Sequence, residues 1–361
     1  MVEVGKIGDK TLVLDGRYIS IFRGGKLVWK RRYMAYPLPD GNLYLYRRRV
    51  RITEQSGKTL TDYQIRIEIG AGDPIWEHAR SAGEDIRFCY YPEEEMLSYW
   101  IEKYDPDAEE AIIWVKVPEI PANSEIEIYM YYGNPTVASA SDVQATFDLY
   151  DDFEDGVLGS QWEYHDGCSV DDYYEESGGV GTIHVNYVDG CSTSLSHANY
   201  NDTPVLEADI PDADFELIVV YYNWNPPAGE PPYHEIGISF VQDEDDFIGH
   251  MLGHSDWQNV YTRSRYKVDA GSSTITETAR HTPDTQTYRY VKVIRTGDTY
   301  HFYYSTDGEN WTDEGSETKA GLTKVALSVY VGSGSYTGSF DFIRIRRYAE
   351  IEPSVSVGGE E

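Results

Sequence analysis

The 361-residue sequence contains no apolar run of the roughly 18 to 20 residues that a membrane-spanning helix needs. It has only 3 cysteines, which are too few for a disulfide framework. Cys168 and Cys191 each follow a glycine and can pair, which would leave Cys89 free, but the count alone does not decide the redox compartment. The first residues, MVEVGKIGDKTLVLDG, are polar and strand-like, which argues against a secretory signal peptide.

Catalytic motifs are also missing from the sequence. No phosphate-binding loop, nucleophile elbow or dinucleotide fingerprint occurs. His250 and His254 are four residues apart, but no helix is predicted to place them on one face, and the glutamate of a metalloprotease motif is absent. A jelly-roll glycosidase needs paired carboxylates on one strand face, whereas Glu235 is followed at that spacing by Gly237 and Ser239. The sequence therefore predicts a protein that is not an enzyme.

Positive charge is concentrated at the N-terminal end of the chain. The net charge is −32, yet residues 1–51 contain twelve Lys and Arg against four Asp and Glu, so this part carries +8 and the rest carries −40. Two interpretations stay open: the basic residues are solvated surface, or they dock an arm on an acidic surface such as a neighbouring copy. Nucleic acid is not an expected partner, because the acidic body repels phosphate. The residues predicted to form the assembly anchor are Lys30, Arg31, Arg32, Arg47, Arg48, Arg49 and Arg51.

Aromatic residues, glycine and short alternating apolar runs are abundant. The chain has 32 Tyr, 8 Trp and 32 Gly. YQIRIEI (63–69) and EIEIYMYY (125–132) alternate almost strictly between apolar and polar residues, which predicts strands with one buried face. The one predicted helix, PIWEHARSAG, ends at Gly83. The predicted class is all-β, with two β-sandwich or jelly-roll domains in tandem behind a small N-terminal β-hairpin arm.

Turn-forming residues and the charge distribution divide the chain into four predicted segments. Pro and Gly in YPLPDGN (36–42) mark the linker that ends the first of them. That first segment is too small to bury a core of its own. The segments are a basic N-terminal β arm at 1–42, a β-sandwich at 43–147, a jelly roll at 148–350 and an acidic C-terminal tail at 351–361.

Four sequence blocks between residues 46 and 147 carry a family resemblance: RVRITEQSGKTLTDYQIRI, GEDIRFCYY, YWIEKYD and IIWVKVPEIPANSEIEIYMYYGNP. In this order they resemble an uncharacterised β-sandwich family of surface and secreted proteins from archaea and bacteria. The resemblance implies a β-sandwich in a surface or secreted protein, and no activity. Its motif residues in this chain are Trp100, Glu102, Trp114, Lys116, Tyr132 and Asn134.

The segments DDFEDGVLGSQWEY, YYSTDGENWTDEG and FDFIRIRRYAEIEP, between residue 148 and about 350, resemble a concanavalin A-like, laminin G-like jelly roll. This resemblance implies that the first and last strands are neighbours, so that Asp152 and Phe153 begin the domain beside Asp341 and Phe342. It also implies a structural Ca²⁺ near the paired ends, with Asp152, Glu154 and Asp341 as ligands. The alternative, in which these acids only accept hydrogen bonds from turn amides, stays open.

Glycan binding is the function predicted for the jelly roll. Trp224, Asn225 and Tyr233 belong to the proline-rich loop YYNWNPPAGEPPYHE, and Asp256 and Trp257 belong to a connection further along the chain. Aromatic faces stack on sugar rings while amides and carboxylates bind the hydroxyls. The alternative is that the two tryptophans cap the edge of the sandwich.

Together these features predict a non-enzymatic structural or surface protein, located outside the cell or on a virion. The first hypothesis is a virion component, such as a spike, decoration or tail-associated protein. Its arm would bind other copies or other structural subunits, and its jelly roll would bind host or surface glycans. The alternatives are a secreted or cell-surface carbohydrate-binding adhesin and a glycoside hydrolase-like enzyme. Calcium is the one cofactor expected.

Overall fold

The computed structural model describes residues 2–7, 10–15, 18–23, 25–32, 36–90, 95–169, 171–186, 200–222, 233–255, 260–281 and 287–361. The chain divides into two compact units. The first unit comprises Met1–Thr146 together with Ala349–Glu361, and the second comprises Phe147–Tyr348. The second unit is therefore inserted into the sequence of the first.

Nearly all regular structure is β-strand, as the sequence predicts. None of the helices in the described part of the chain has the length and apolar character of a membrane span. The first part of the first unit contains β1 (Val2–Ile7), β2 (Lys10–Asp15), β3 (Tyr18–Arg23), β4 (Lys26–Arg32), β5 (Tyr36–Pro37), β6 (Leu43–Tyr44), β7 (Tyr46–Thr53), β8 (Leu60–Ile69), α1 (Ile75–His78), β9 (Arg87–Tyr90), β10 (Glu95–Met96), β11 (Tyr99–Asp105), β12 (Glu110–Ile120), β13 (Glu125–Tyr132) and α2 (Val143–Thr146). The second unit contains β14 (Leu149–Asp151), β15 (Glu163–His165), β16 (Tyr173–Glu176), β17 (Gly181–Asn186), a 3-10 helix (Tyr200–Asp202), β18 (Val205–Asp209), β19 (Phe215–Tyr222), β20 (Tyr233–Asp243), β21 (Asp246–Ser255), β22 (Val260–Asp269), β23 (Ser272–His281), β24 (Tyr288–Thr296), β25 (Thr299–Ser305), β26 (Thr312–Thr318), β27 (Lys324–Val331) and β28 (Ser335–Arg347). The last strand is β29 (Ser354–Glu360), which belongs to the first unit.

The residues of the predicted N-terminal arm form a four-stranded antiparallel sheet in the order β1-β2-β3-β4. Each strand pairs with the next one along the chain, as the Gly-rich turns between them predict. The sheet is grouped with the first unit and is not a compact unit by itself.

Two sheets enclose the core of the first unit. One has the order β10-β9-β13-β7-β29 and the other the order β11-β12-β8. The predicted alternation is confirmed in β8, where Ile65, Ile67 and Ile69 are buried and Arg66 and Glu68 are exposed. Alternate side chains point to opposite faces of a strand, so the apolar set of each strand meets that of the other sheet.

The last strand, β29, completes the first unit. It pairs antiparallel with β7, and Val355 and Val357 pack against the first core. The side chain of Glu360 accepts a hydrogen bond from the hydroxyl of Tyr132 at 2.7 Å, and its carboxylate also lies 2.8 Å from Nδ1 of His78. The segment 351–361, which the sequence analysis treats as a separate acidic tail, is therefore a strand of the first sandwich. Without β29, β7 would be an edge strand of its sheet. The alternating valines of β29 provide β7 with a partner strand on that side.

The predicted helix over residues 74–83 is much shorter in the structure. Only Ile75–His78 is helical, and Ala79 already has an extended backbone. The backbone N–H of Arg80 donates to the buried carboxylate of Asp85 at 2.9 Å, which holds the following turn in place. A side-chain acceptor thus ends the helix before Gly83.

Several motif residues of the uncharacterised family have structural roles. The indole of Trp114 donates a hydrogen bond to the carboxylate of Glu102 across two paired strands at 2.6 Å. The amide of Asn134 donates to the carbonyl of Leu43 at 2.9 Å. These contacts stabilise the first sandwich and give no indication of chemistry.

The second unit is a sandwich of two antiparallel sheets. One has the order β16-β17-β28-β19-β24-β25-β26, with β14 also paired to β28, and the other has the order β15-β18-β27-β20-β21-β22-β23. Leu149 pairs with Ile345 and Asp151 pairs with Ile343, so the first and last strands of the unit are neighbours, as the sequence predicts. Alternate residues of both sheets, such as Ile236, fill the space between them.

A buried polar cluster lies between the two sheets, beside the strands β21, β22 and β26. His250 is fully buried, its ring stacks on Phe302, and its Nε2 lies 3.8 Å from the carboxylate of Glu314. Glu314 accepts a hydrogen bond from Arg263 at 3.0 Å and another from Thr278. Burial lowers the pKa of His250, which keeps the ring neutral at pH 7.

The first prediction concerns β29. Replacing both Val355 and Val357 with Asp should lower the free energy of unfolding of the first unit by about 3 kcal/mol, because two apolar contacts are lost and two charges must stay near the core. Hydrogen exchange followed by mass spectrometry should show lost protection in β7 and unchanged protection in β24. The matched control replaces the exposed Ser354 and Ser356 with Asp, which should leave β7 protected. Full protection of β7 in the valine variant would contradict the assignment of β29 to this sheet.

The second prediction concerns His250. Its folded-state pKa is lowered, so the unfolded chain binds the proton more readily and stability falls as the pH drops below about 6.5. Between pH 7 and pH 5 the wild type should lose up to about 2 kcal/mol more than His250→Leu. Urea unfolding at both pH values measures the difference, with His301→Gln, a substitution at the surface, as the control. Equal losses in the wild type and in His250→Leu would show that this ring does not titrate on unfolding.

Candidate functional site

A cleft of about 810 Å³ opens at the surface of the second unit. Strands β15, β18 and β27 form one side, and the turn between β20 and β21 forms the other. The 3-10 helix contributes Tyr200 to the wall. The lining residues are His165, Asp166, Tyr200, Thr203, Val205, Glu207, Val241, Gln242, Asp243, Glu244, Asp245, Asp246, Ala270 and Lys324.

Glu207 is the best-positioned charged group of the cleft. It is 4% exposed, and it accepts a hydrogen bond from the ammonium group of Lys324 at 2.7 Å. Nε2 of His165 lies 3.1 Å from the same carboxylate. The hydrogen bond with Glu207 raises the pKa of Lys324. These contacts fix the carboxylate of Glu207 at the cleft wall and partly neutralise its charge.

The floor of the cleft is apolar. Val205 and Val241 belong to a small buried cluster, against which Tyr200 packs. The ring of Tyr200 lies 5.5 Å from that of Phe247, and its hydroxyl oxygen is buried without a hydrogen-bond partner among the described residues. The cleft thus combines an aromatic surface with a polar group that has not been satisfied by the fold.

The turn at the opposite side of the cleft is strongly acidic. It carries Asp243, Glu244, Asp245 and Asp246 in sequence. Of these, Asp246 is paired with Lys319 at 2.6 Å, and this hydrogen bond lowers the pKa of Asp246. The acids of the lining outnumber its cations, so the cleft disfavours anionic ligands.

Glu163, His165 and Glu207 form the one group in the described part of the chain whose ligand atoms all lie within 4.8 Å of one another. Glu163 and Glu207 are directly opposite on paired strands. The ammonium group of Lys324 lies 2.7 Å from the carboxylate of Glu207. This local positive charge disfavours a metal ion at the triad.

The acids predicted to bind calcium lie near one another but do not form such a group. Burial raises the pKa of Asp341, and the charges of Glu154 and Asp152 raise it further. The hydroxyl of Tyr150 donates to Asp152 at 3.2 Å. A calcium ion at Asp152, Glu154 and Asp341 stays a prediction.

Asp151 belongs to the same acidic stretch but is not one of the acids predicted to bind calcium. Its carboxylate is buried and accepts hydrogen bonds from the indole of Trp162 at 2.7 Å and from the backbone N–H of Phe153 at 2.8 Å. The side-chain amide of Gln161 donates to it at 3.1 Å. Asp151 therefore fixes the beginning of the second unit.

The predicted glycan-binding residues mostly lie outside the described residues. This applies to Trp224, Asn225, Asp256 and Trp257. Tyr233 begins β20, and its backbone pairs with that of Ser255. Their role in glycan binding stays a prediction.

The basic residues of the predicted anchor lie in two different strands. Lys30, Arg31 and Arg32 belong to β4, and the four arginines between 47 and 51 belong to β7. The arginines of β7 form ion pairs inside the first unit, with Glu361 for Arg47 at 2.7 Å, Asp73 for Arg48 at 2.5 Å, and Glu127 for both Arg49 and Arg51 at 3.2 Å. These ion pairs hold β7 in its sheet, and assembly through the basic residues stays a prediction.

The carboxylate considered for catalysis, Glu235, lies on β20 and is 4% exposed. The next residues on the same face of this strand are Gly237 and Ser239. Ser239 is hydrogen-bonded to the hydroxyl of Tyr266 at 2.5 Å. The strand thus lacks the paired carboxylates that a retaining glycosidase uses.

The cleft residues are not apparent from the sequence alone. Glu207 and Lys324 are 117 residues apart. The sequence feature that indicates the cleft is the pattern EYH at 163–165, in which a charged residue and a histidine share one face of a short strand. Nothing in the sequence identifies the strand that pairs with it.

The family DUF2341, described as a domain of unknown function, matches residues 82–165. This confirms the uncharacterised domain that the sequence analysis expects, although the match continues past Thr146 into the second unit. Cys168, just beyond the match, is disulfide-bonded, and Cys89 is a buried thiol. Cys191 lies outside the described residues.

No curated protein matches the sequence. Among solved structures, the chain is similar to the GH43 protein BlXynB from Bacillus licheniformis, with 11% identity, 94% of this chain and 73% of that chain covered, and a TM-score of 0.43. It is also similar to the CBM2 module of Lactobacillus casei BL23 phage J-1 evolved Dit, with 13% identity, coverage of 55% and 96%, and a TM-score of 0.38. A third is LamAcat from Zobellia galactanivorans, with 10% identity, coverage of 56% and 97%, and a TM-score of 0.37. Similarity at this level does not indicate a shared activity.

The third prediction concerns the pair of Glu207 and Lys324. Lys324→Met should lower the free energy of unfolding of the second unit by about 1–2 kcal/mol, because the buried carboxylate of Glu207 loses its partner. The loss is not larger because the lysine is half-exposed and solvent already screens part of the ion pair. Adding Glu207→Gln should recover part of that loss, with a coupling energy of about 1 kcal/mol in a double-mutant cycle. Urea unfolding measures all four proteins. The exposed pair Lys103 and Glu110 is the control, and its coupling energy should be clearly smaller because solvent screens it. Equal coupling energies for the two pairs would contradict a special role for Glu207.

Proposed function

We propose that the second unit is a carbohydrate-binding module without catalytic activity, and that the chain is a structural protein of a biological surface. The observation that carries the proposal is the cleft, which is lined by the fixed carboxylate of Glu207 and by Tyr200, whose buried hydroxyl has no hydrogen-bond partner among the described residues. Sugars present an apolar ring face together with hydroxyl groups that both donate and accept hydrogen bonds. The concanavalin A-like character of the jelly roll belongs to the same proposal.

The charge of the cleft supports a particular class of sugar. Its acidic turn, Asp243–Asp246, repels carboxylate and sulfate groups. Lys324 is the single lysine of the lining, and it is already paired with Glu207. A neutral oligosaccharide is therefore the expected ligand.

A glycoside hydrolase is the second candidate, because Glu163 and Glu207 are close enough to act as a pair of carboxylates. Such a pair needs one member that holds a proton at working pH, usually through burial. Glu163 is 68% exposed, and its neighbour Glu207 is bound to a lysine. Because Glu207 is held in an ion pair with Lys324, binding without hydrolysis is the function proposed for this cleft.

Two settings are proposed for the surface protein. The first is a virion component, and the second is a secreted or cell-surface adhesin. The disulfide bond of Cys168 supports an oxidising, extracellular location for both. Since the arginines of β7 are paired within their own unit, Lys30, Arg31 and Arg32 are the better candidates for binding other subunits. Repeated copies of the chain on a particle, seen by electron microscopy, would favour the virion.

The fourth prediction tests the cleft. The full chain should bind a neutral oligosaccharide from a glycan panel, and Tyr200→Phe and Glu207→Gln should each weaken binding at least about fivefold, since the first removes a hydroxyl and the second replaces a charged acceptor oxygen with an amide. Isothermal titration calorimetry measures the affinities. The matched control is Tyr173→Phe, at an exposed tyrosine outside the cleft, and it should bind like the wild type.

The same proteins distinguish binding from hydrolysis. Incubation with the bound polysaccharide should release no reducing ends from the wild type. Release that disappears in Glu163→Gln and Glu207→Gln would replace the binding proposal with the hydrolase. Preferential binding of sulfated or uronic glycans, or equal affinity in Tyr200→Phe and the wild type, would contradict the assignment of the cleft.

A further inference from the structure

The loop that follows β15 contains a buried carboxylate that the fold leaves partly unsatisfied. Asp172 is 4% exposed. Its Oδ1 accepts a hydrogen bond from the backbone N–H of Asn186 at 2.7 Å, whereas its Oδ2 is buried and has no hydrogen-bond partner among the described residues. An unpaired buried carboxylate oxygen is costly, so this position requires a proton or a cation.

A second oxygen points to the same place. Oδ2 of Asp172 and the carbonyl oxygen of Asp202 both lie 2.7 Å from the point where a Cβ atom of residue 167 would stand. Gly167 is therefore what allows the two oxygens to approach each other. The carbonyl of Asp202 accepts one hydrogen bond, from the N–H of Cys168 at 3.1 Å, and a carbonyl oxygen has a second lone pair. Two acceptor oxygens thus lie near the same point beside Gly167.

Further oxygens surround this position. The hydroxyl of Tyr164 is buried without a described partner. Burial raises the pKa of Tyr164, and the charges of Asp166 and Asp172 raise it further. Burial also raises the pKa of Asp172, hydrogen bonds from the backbone of Asn186 and Ser169 lower it, and the charges of Asp166 and Asp171 raise it again. The carboxylates of Asp166 and Asp171 thus add negative charge near Asp172.

We propose that these oxygens bind a calcium ion. Its protein ligands are Oδ2 of Asp172, the carbonyl oxygen of Asp202 and the carboxylate of Asp166, with water molecules completing the six to eight oxygens that calcium prefers. The hydroxyl of Tyr164 lies beside the ion and hydrogen-bonds to one of these waters. A donor set made only of oxygens favours calcium over zinc or copper.

The ion would connect two segments that are far apart in the sequence. It ties the loop after β15 to the 3-10 helix, and these segments carry His165 and Tyr200 of the cleft wall. Calcium would thus order one wall of the cleft. This consequence depends on the proposed glycan-binding function, whereas binding of the ion does not.

The fifth prediction is tested with the full chain, stripped with a chelator and titrated with calcium chloride. Calorimetric titration should show calcium binding, and a thermal scan with 10 mM calcium should raise the unfolding midpoint of the second unit by about 5 °C. Asp172→Asn keeps the acceptor for Asn186 and should weaken calcium binding at least tenfold. Asp298→Asn, at an exposed aspartate of the second unit outside both acidic groups, is the matched control and should keep it.

Three results would overturn the proposal. The first is a wild type that neither binds calcium nor gains stability from it. The second is binding that survives in Asp172→Asn and disappears in Asp341→Asn, at the other acidic position. The third is a second unit that gains stability in the absence of calcium as the pH falls below the raised pKa of Asp172. This result would show that a proton is bound at this position in place of the ion.

A second measurement covers the case in which Asp172→Asn does not fold. Terbium binds to calcium sites and emits when a nearby tyrosine absorbs light. The wild type should show this emission, and Tyr164→Phe should lose at least half of it while keeping its calcium affinity within about threefold. Unchanged emission in Tyr164→Phe would place the ion elsewhere. Calcium binding without any glycan binding would keep this site and reject the proposed function alone.

Discussion

The pairing of β29 with β7 is the constraint on which the architecture depends. It makes the first sandwich discontinuous in sequence, because residues at both ends of the chain contribute to one sheet. The unit between them must then begin and end at neighbouring points, as inserted domains generally do. The second unit meets this requirement within its own sheet, where Leu149 pairs with Ile345. The same pairing places Asp151 where its buried carboxylate can organise the first turn of the unit.

The second unit buries several carboxylates. The partners that neutralise or hydrogen-bond each carboxylate indicate whether it has a structural role or is available to a ligand. Glu314 is bound by Arg263 and Thr278 inside the sandwich, and Asp151 is satisfied by an indole and a backbone amide. Each of these acids has its partners within the fold, so each has a structural role. Glu207 is also paired, but it lies at the wall of an open cleft where a ligand can reach it. Asp172 differs from all three, because one of its oxygens has no described partner.

The fold class was predictable from the sequence because strand alternation is a local property. β8 and β13 follow the alternation of YQIRIEI and EIEIYMYY. The role of the last eleven residues was not predictable in the same way. SVSVGGE alternates between small polar residues and valine, but no local signal shows that its partner is β7, more than 300 residues earlier. An acidic composition suggested a solvated tail, and pairing across the whole chain overrode that suggestion.

The candidate site shows the same limit more clearly. Neither Glu207 nor Lys324 belongs to a motif, and they meet only because β18 pairs with β27. Tyr200 is one of 32 tyrosines in the chain, so the amino-acid composition gives no reason to select this tyrosine. Trp224 and Trp257 were predicted to bind sugar because they lie in loop-like sequence, and the composition of a loop carries no information about which strands pair. Residues that act through a shared cavity can be identified only when the pairing of the strands is known.

The acidity of the chain gives a single physical reason for several of its properties. Net negative charge repels nucleic acid and anionic polysaccharides, and it attracts divalent cations. In the second unit this charge is unevenly distributed. The turn Asp243–Asp246 lines the cleft with carboxylates, while Lys324 and His165 partly neutralise Glu207 on the opposite wall. A neutral sugar can hydrogen-bond to both walls without bringing charge into the cleft. The buried acid Asp172 carries the unpaired oxygen Oδ2 near Asp166 and Asp171, and the cation that we propose there would relieve the repulsion among these carboxylates.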